Sequence, residues 1–182
     1  LLKNSPSLNK YNFIINKNKL SLIRNNIEIL TIDANETNEY DLISNKILEL
    51  EDSFEKPLFL MKNKMLPFFD TTISNKTNLT HSISLLNIKS IEDFQNKTNQ
   101  KIELQIFRGN IYIDGIQAWE ERNWIGQVIK INNVSFKVEK NIPRCVVINL
   151  KPNTDDDSLN LLQSLKKNYN HFDMGIYLTA LD

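Results

Sequence analysis

The single cysteine, Cys145, is the residue best suited to nucleophilic or soft-metal chemistry in this chain. It stands in Pro143-Arg144-Cys145-Val146, at the head of an apolar run (Val146 to Leu150) that predicts a strand, with the thiol at its rim. An adjacent arginine favours thiolate over thiol, the form that ligates a soft metal or carries a persulfide sulfur. The competing reading is a buried structural cysteine, the commoner fate of a free thiol. A second group, Arg108-Gly109-Asn110, sits between two strand-like runs. Its arginine offers a fork of donors suited to phosphate, its asparagine adds an amide, and glycine lets the backbone turn or approach a ligand closely. A plain hairpin corner carrying a surface arginine explains the same three residues.

The remaining chemistry-bearing residues point less sharply. His81 and His171 are the two histidines. With Cys145 they make three potential zinc ligands, but no two are closely spaced, which argues against a zinc site. A Cys–His nucleophile pair is conceivable, and hydrogen-bonded structural histidines are the reading favoured over either. In Trp119-Glu120-Glu121-Arg122-Asn123-Trp124 the tryptophans read as core anchors. The two adjacent carboxylates point in different directions and make a poor general acid/base pair. Asp155 to Asp157 reads as a helix start, explained by capping without a metal. Four glycines in 182 residues leave no GxGxxG and no GxxxxGK[ST] to cradle a nucleotide phosphate.

The elements that must position these residues are mostly short and alternating. Tyr11 to Ile15, Leu20 to Ile23 and Ile27 to Ile32 read as a meander. Glu39 to Leu50 has helical spacing, with Leu42, Ile43, Ile47 and Leu50 on one face and Thr37 or Asn38 as cap. Pro57 to Met61 reads as a buried strand and Asp70 to Leu79 as a surface loop. Further strands are expected at His81 to Leu86, Ile102 to Phe107, Ile111 to Ile113, Val128 to Ile131, Val134 to Val138, Val146 to Leu150 and from Gly175 through Leu178. Helices are expected at Ile88 to Asn96 and Asp155 to Asn168. The second is opened by aspartates and Ser158, lined by Leu159, Leu162 and Leu165, and closed by Lys166 and Lys167. Many strands and few, irregularly placed helices predict a mainly β fold with peripheral helices (α+β), an antiparallel barrel or sandwich, and exclude a doubly wound sheet.

Composition bounds the partners. Lysine plus arginine and aspartate plus glutamate both total 22, so a formal net charge of zero makes no electrostatic case for nucleic acid or an anionic membrane. No apolar run approaches the roughly 20 residues of a membrane helix. A lone thiol suits a reducing compartment, read as the cytoplasm. The chain starts at Leu1 and stops at Asp182 within a strand-like run, and so reads as a fragment truncated at both ends.

Taken in order, H-S-I-S-L-L-N-I-K-S-I at 81–91, I-F-R-G-N-I-Y-I-D-G at 106–115, A-W-E-E-R-N-W-I-G at 118–126, P-R-C-V-V-I-N-L-K-P-N-T at 143–154 and H-F-D-M-G-I-Y at 171–177 resemble the MOSC family, the molybdenum cofactor sulfurase C-terminal domain. The resemblance spans about Lys56 to Asp182. It divides the chain into residues 1–55, part of a β-rich N-terminal MOSC region, and residues 56–182, a MOSC domain missing its C-terminal end. It implies a β-barrel-centred fold that binds a molybdenum cofactor of the molybdopterin type. In amidoxime-reductase-type members the cysteine of the R-C motif ligates molybdenum, a role that falls to Cys145 as catalytic and metal-ligating residue. Arg144 matches the motif's arginine, Arg108 and Asn110 match residues that hold the pterin and its phosphate, and Thr80, His81 and Ser82 fall where the family places backbone and hydroxyl donors. Departures are Ile106 for the leading arginine of R-F-R, Asn149 for the threonine after R-C, Lys151 for the aspartate of D-P, and a displaced glycine in Phe172-Asp173-Met174-Gly175-Ile176-Tyr177.

Three functions follow from the resemblance. The first is an oxidoreductase of the N-hydroxylated-substrate (amidoxime) reductase type. No cysteine-rich ferredoxin-type domain is present, so electrons would come from a separate ferredoxin- or flavoprotein-type donor. The second is a sulfur carrier taking a persulfide on Cys145 from a cysteine desulfurase dependent on pyridoxal phosphate; no Schiff-base lysine motif is evident in this chain. The third is a non-catalytic, degenerate barrel, in which Arg108, Asn110 and Cys145 would not converge.

Overall fold

The structure is a computed structural model and describes residues 4–54, 57–62, 79 and 81–181. The chain forms two units, residues 1–63 with 150–159 and residues 64–149 with 160–182. The fold is mainly β with peripheral helices, as the alternating runs predict.

In the first unit the expected meander is present. Strands β1 (Tyr11–Asn16), β2 (Lys19–Arg24) and β3 (Ile27–Asp33) pair antiparallel in that order. The β2–β3 turn is made by Asn25 and Asn26, both at positive φ (52° and 61°), a conformation asparagine tolerates and the twist of a tight hairpin requires. Leu20, Leu22 and Ile32 pack with Tyr40, Ile43 and Ile47 of helix α1 (Tyr40–Leu50). Leu42 departs from the expected apolar face and is exposed. Neither Thr37 nor Asn38 caps α1. They lie in a 3-10 turn, Thr37–Glu39, and the Glu39 carboxylate instead accepts from the Asp33 N–H at 2.8 Å.

Two other expectations in this unit are overturned. Pro57 to Met61 is not a strand. Leu58 and Leu60 rest on the unit's core while Phe59 and Met61 are exposed, and the Leu60 N–H donates to the Ser44 hydroxyl at 3.1 Å. The period of two was real, but no strand ladder receives this backbone. Asp155 to Asp157 do not open a helix: Asp155 pairs with Lys10, and Asp156 pairs with Lys151 and accepts the Ser158 N–H. The expected loop at Asp70 to Leu79 lies outside the described residues except for Leu79, which is buried.

The second unit is built on β4 (Ile83–Asn87), β5 (Ile111–Ile113), β6 (Val128–Ile131), β7 (Val134–Pro143) and β8 (Asp173–Leu181), in the order β5-β4-β8-β7-β6. All neighbours are antiparallel except β4 and β5. Helix α2 (Ile88–Thr98) lies between those two and makes the long connection that a parallel pair needs. One face of the sheet buries Leu85, Val138, Ile176 and Leu178 with Phe136. Each such side chain contributes about 1.5–3 kcal/mol of burial. Strand periodicity turns Ser84, Leu86 and Tyr177 to the opposite face. Asn87 starts α2 by accepting the Lys89 N–H at 2.9 Å, and α3 (Leu161–Tyr169) ends with Lys166 and Lys167 in its last turn. It begins at Leu161 rather than Asp155, its first turn held by Asn149, whose carboxamide oxygen accepts the Leu162 N–H at 3.0 Å.

Two predicted strands are 3-10 turns, Leu104–Phe107 and Val146–Asn149. In the first, the neighbours Ile106 and Phe107 are both buried, which a strand's alternation would prevent. No helix of the described residues is long and apolar enough to cross a membrane.

Candidate functional site

The turn that precedes β5 is the first component. Arg108 closes the Leu104–Phe107 turn at φ 49°, its N–H donating to the Gln105 carbonyl at 3.0 Å. The left-handed residue is therefore the arginine, and Gly109 serves a different need. A Cβ there would stand 2.4 Å from Leu86 Cδ1 and 3.1 Å from the Tyr112 ring, so the backbone approaches closely. Tyr112 completes this corner. Its hydroxyl accepts the Gly109 N–H at 3.0 Å and donates to the Leu104 carbonyl at 3.1 Å.

Asn110 is clasped to Ser84. Its Oδ1 accepts from the Ser84 N–H at 2.9 Å and the Ser84 hydroxyl at 2.8 Å, and its own N–H lies 3.0 Å from the Ser84 Oγ. This clasp fixes the Arg108 turn to β4. Across the sheet Ser84 is registered with Tyr177 of β8, so both side chains face the same way.

The third component is the end of β7. Arg144 donates its backbone N–H to the Phe172 carbonyl at 2.9 Å, Nη1 to the Phe107 carbonyl at 2.8 Å and Nε to the Met174 carbonyl at 2.9 Å, with Nη2 also on Met174. Its guanidinium lies 5.6 Å from the centre of the Phe107 ring. Cys145 follows, exposed, at the start of the Val146–Asn149 turn, where its carbonyl accepts the Ile148 N–H. The thiol thus sits on a rim, as expected, but at a turn and not at a strand.

These parts enclose a cleft of about 200 Å³. Ser84, Arg108, Arg144, Cys145 and Tyr177 supply its polar groups, and Ile106, Phe107, Ile142, Pro143, Val147 and Ile148 its apolar wall. Ile106, standing where the family's pattern has a leading arginine, is part of that wall. Burial pulls the pKa of Arg108 below the usual arginine value, and the negative charge of an ionised Cys145 opposes that. Arg144 falls to about 10, chiefly through burial, and Cys145 again favours its charged form. Both guanidiniums remain charged at neutral pH and stand within electrostatic reach of the thiol. Among the described residues, no three His, Cys, Asp or Glu side chains are grouped to hold a metal ion. A metal at Cys145 would therefore bring most of its ligands with it. The Arg108 guanidinium, the positive field of Arg144 and the soft sulfur of Cys145 suit the anionic, sulfur-ligated molybdenum cofactor.

Of the other expected site residues, Asn110, Ser82 and His81 do not line the cleft, Asn110 reaching it only through Ser84. His81 is exposed in a turn, and the Ser82 hydroxyl donates to the Leu79 carbonyl at 2.7 Å. Thr80 lies outside the described residues. Ser84 and Tyr177 line the cleft but were not singled out from sequence. The signal was available: each interrupts an apolar alternation, between Ile83 and Leu85 and between Ile176 and Leu178. His171 belongs to a separate cluster with Tyr169 and Trp119, its ring centre 5.9 and 5.7 Å from theirs. There the Trp119 indole N–H and the Tyr169 hydroxyl both donate to Asp93 Oδ2 at 2.7 Å. Trp124 packs on the sheet core, whereas buried Glu121 accepts from Asn87 and Ser90 and takes no part in the cleft.

The family model described as "MOSC domain" matches residues 73–182. Among curated proteins the chain is similar to mitochondrial amidoxime reducing component 2 of Rattus norvegicus, 32% identical over 72 residues, 40% of this chain and 21% of that protein. It is also similar to mitochondrial amidoxime reducing component 2 of Bos taurus, 27% identical over 92 residues, 50% of this chain and 27% of that protein. The matches thus span about a quarter of the length of these relatives.

Proposed function

From the premise that the chain belongs to the MOSC domain family, which is associated with molybdenum-cofactor binding, we propose that the Cys145 cleft holds that cofactor and serves an oxidoreductase of the amidoxime-reductase type. The observation that carries this reading is the convergence of Cys145, Arg108 and Arg144 on one cleft, with Asn110 clasped to its Ser84 wall. Cys145 Sγ would ligate the metal. Arg108 would neutralise the phosphate or dithiolene charge, with Arg144 adding a second positive charge behind the thiol. Asn110, clasped to the Ser84 wall, would set the position of the Arg108 turn. When bound, the cofactor supplies the oxygen-atom and electron chemistry. The chain's own residues hold and tune it: the apolar wall excludes water from one side, and the paired guanidiniums raise the affinity for an anion. Electrons would come from a separate ferredoxin- or flavoprotein-type donor. Residues 1–55 would belong to the family's N-terminal region.

Metal analysis of the full-length protein tests this. The expected result is molybdenum near one per chain, lost in Cys145→Ala; full retention in the variant overturns the ligand role. The exposure of Cys145 favours a second reading, a sulfur carrier in a reducing compartment such as the cytoplasm. Here the Cys145 thiolate would attack the outer sulfur of a desulfurase persulfide, forming Cys145–S–SH and releasing the desulfurase thiolate. A mass gain of one sulfur atom on Cys145 after incubation with a cysteine desulfurase supports the carrier, and an unchanged mass excludes it.

A further inference from the structure

Arg144 is placed differently from the other arginine of the cleft. Its Nη1 holds the carbonyl of Phe107, the residue immediately before Arg108. Its Nε and Nη2 hold the carbonyl of Met174 in β8, and its backbone N–H holds Phe172. The next residue in the chain is Cys145. One planar side chain thus ties three stretches of backbone at the cleft: the Arg108 turn, the start of β8 and the peptide that carries the thiol. Its charge meets carbonyls and the Phe107 ring, with no carboxylate paired to it among the described residues. A guanidinium fork can bridge two carbonyls on different strands at once; a lysine ammonium on its flexible stem has no such planar geometry.

We propose that Arg144 is a positioning residue, whose task is to hold Cys145 and Arg108 on opposite sides of one cleft, so that an anion arriving at the thiol is met by the Arg108 guanidinium. Arg144 acts through its neighbours and does not itself grip the ligand. The inference concerns the same cleft as the proposed function but stands without any cofactor.

The test uses the metal-free protein and two small probes, iodoacetate and iodoacetamide. Both alkylate Cys145 through its thiolate, so the ratio of their rates cancels the ionised fraction and reads the positive potential at the sulfur. In the unaltered protein the iodoacetate-to-iodoacetamide ratio is expected to exceed that of free cysteine by about fivefold. Arg108→Gln is expected to remove most of the excess in the ratio, the Arg144 charge accounting for what remains, and to lower the melting temperature by no more than the loss of its bond to the Ile106 carbonyl allows. Arg144→Lys keeps a positive charge at the position. It is expected to lose most of the ratio nonetheless, because the Arg108 turn is no longer held, and to melt about 5 °C lower. A lysine variant with an unchanged ratio overturns the proposal, whether or not its melting temperature falls, since a merely structural tie would move only the temperature. Molybdenum content is measured on the same proteins. An unaltered chain that shows the charge preference but takes up no metal defeats the proposed function and leaves this inference intact.

Discussion

Each unit gathers basic side chains around one focus, and the two foci are built on opposite principles. In the first unit the focus is the carboxylate of Glu51, buried at the end of α1. Lys10 reaches it at 2.8 Å, Arg24 at 2.8 Å and the Tyr11 hydroxyl at 3.0 Å. Burial and the bond to Glu51 push the Tyr11 phenol up to about 12, and the same carboxylate raises the pKa of Lys10. In the second unit the focus is the cleft, where Arg144 meets carbonyls and the thiol of Cys145. The difference separates structure from site. Charges closed on one another hold the fold, whereas a guanidinium held by carbonyls, with no carboxylate to neutralise it, lends its positive field to the cleft.

The comparison can be broken first at Glu51. Glu51→Ala leaves Arg24 and the Tyr11 hydroxyl without their carboxylate and Lys10 with Asp155 alone, and is expected to cost about 3 kcal/mol in urea denaturation. The charge preference of Cys145 alkylation is expected to stay as it was. If that preference falls too, the two foci are not independent. Gly175→Ala attacks the second unit. Gly175 has φ 80°, and a Cβ there would stand 2.5 Å from the Leu85 carbonyl and 2.6 Å from Leu86 Cδ2. A loss of about 2 kcal/mol is expected, with a weakened charge preference at Cys145 because β8 carries Tyr177 and the Arg144 contacts.

Smaller changes sharpen the contrast. Asn110→Ala removes the acceptor for two Ser84 donors and is expected to cost about 1 kcal/mol, measured by the shift in urea midpoint. The smallest effect concerns pH. Burial, followed by the charge of Arg122, lowers the pKa of His171, whose Nδ1 accepts the Asp173 N–H. A group with a depressed pKa in the fold adds stability above its unfolded value, about 6.5 for histidine, and loses it as pH falls below that. Urea midpoints of the unaltered protein should therefore decline between pH 7 and pH 5.5, and His171→Asn should flatten that part of the curve. An equal decline in the variant assigns the effect to other groups.

Much of this organisation is legible in the residues. Asn25-Asn26 between two alternating runs marks a hairpin, and Lys166-Lys167 marks a helix end. Short apolar runs are not legible in the same way. Ile102 to Phe107 and Val146 to Leu150 carry strand-like composition yet fold as 3-10 turns, because over so few residues composition does not distinguish the two. Asp155 to Asp157 look like a helix cap but are drawn to Lys10 and Lys151, one far away in sequence. Ser82 and Ser84 differ by one strand period, and only the pairing of β4 with β8 selects Ser84 for the cleft.

By itself, the sequence determined the family, the meander and the main helices, and put Cys145 and Arg108 forward as candidates, since motifs and local periodicity are properties of neighbouring residues. Tertiary structure alone decided that Phe107, Arg144 and Met174 meet. It also decided that the carboxamide oxygen of Asn110 faces Ser84, and that Gly109 is needed for close packing against Leu86. These are contacts between segments 23 to 37 residues apart. Which partner a side chain finds at that separation depends on strand register and packing, and no local pattern records either.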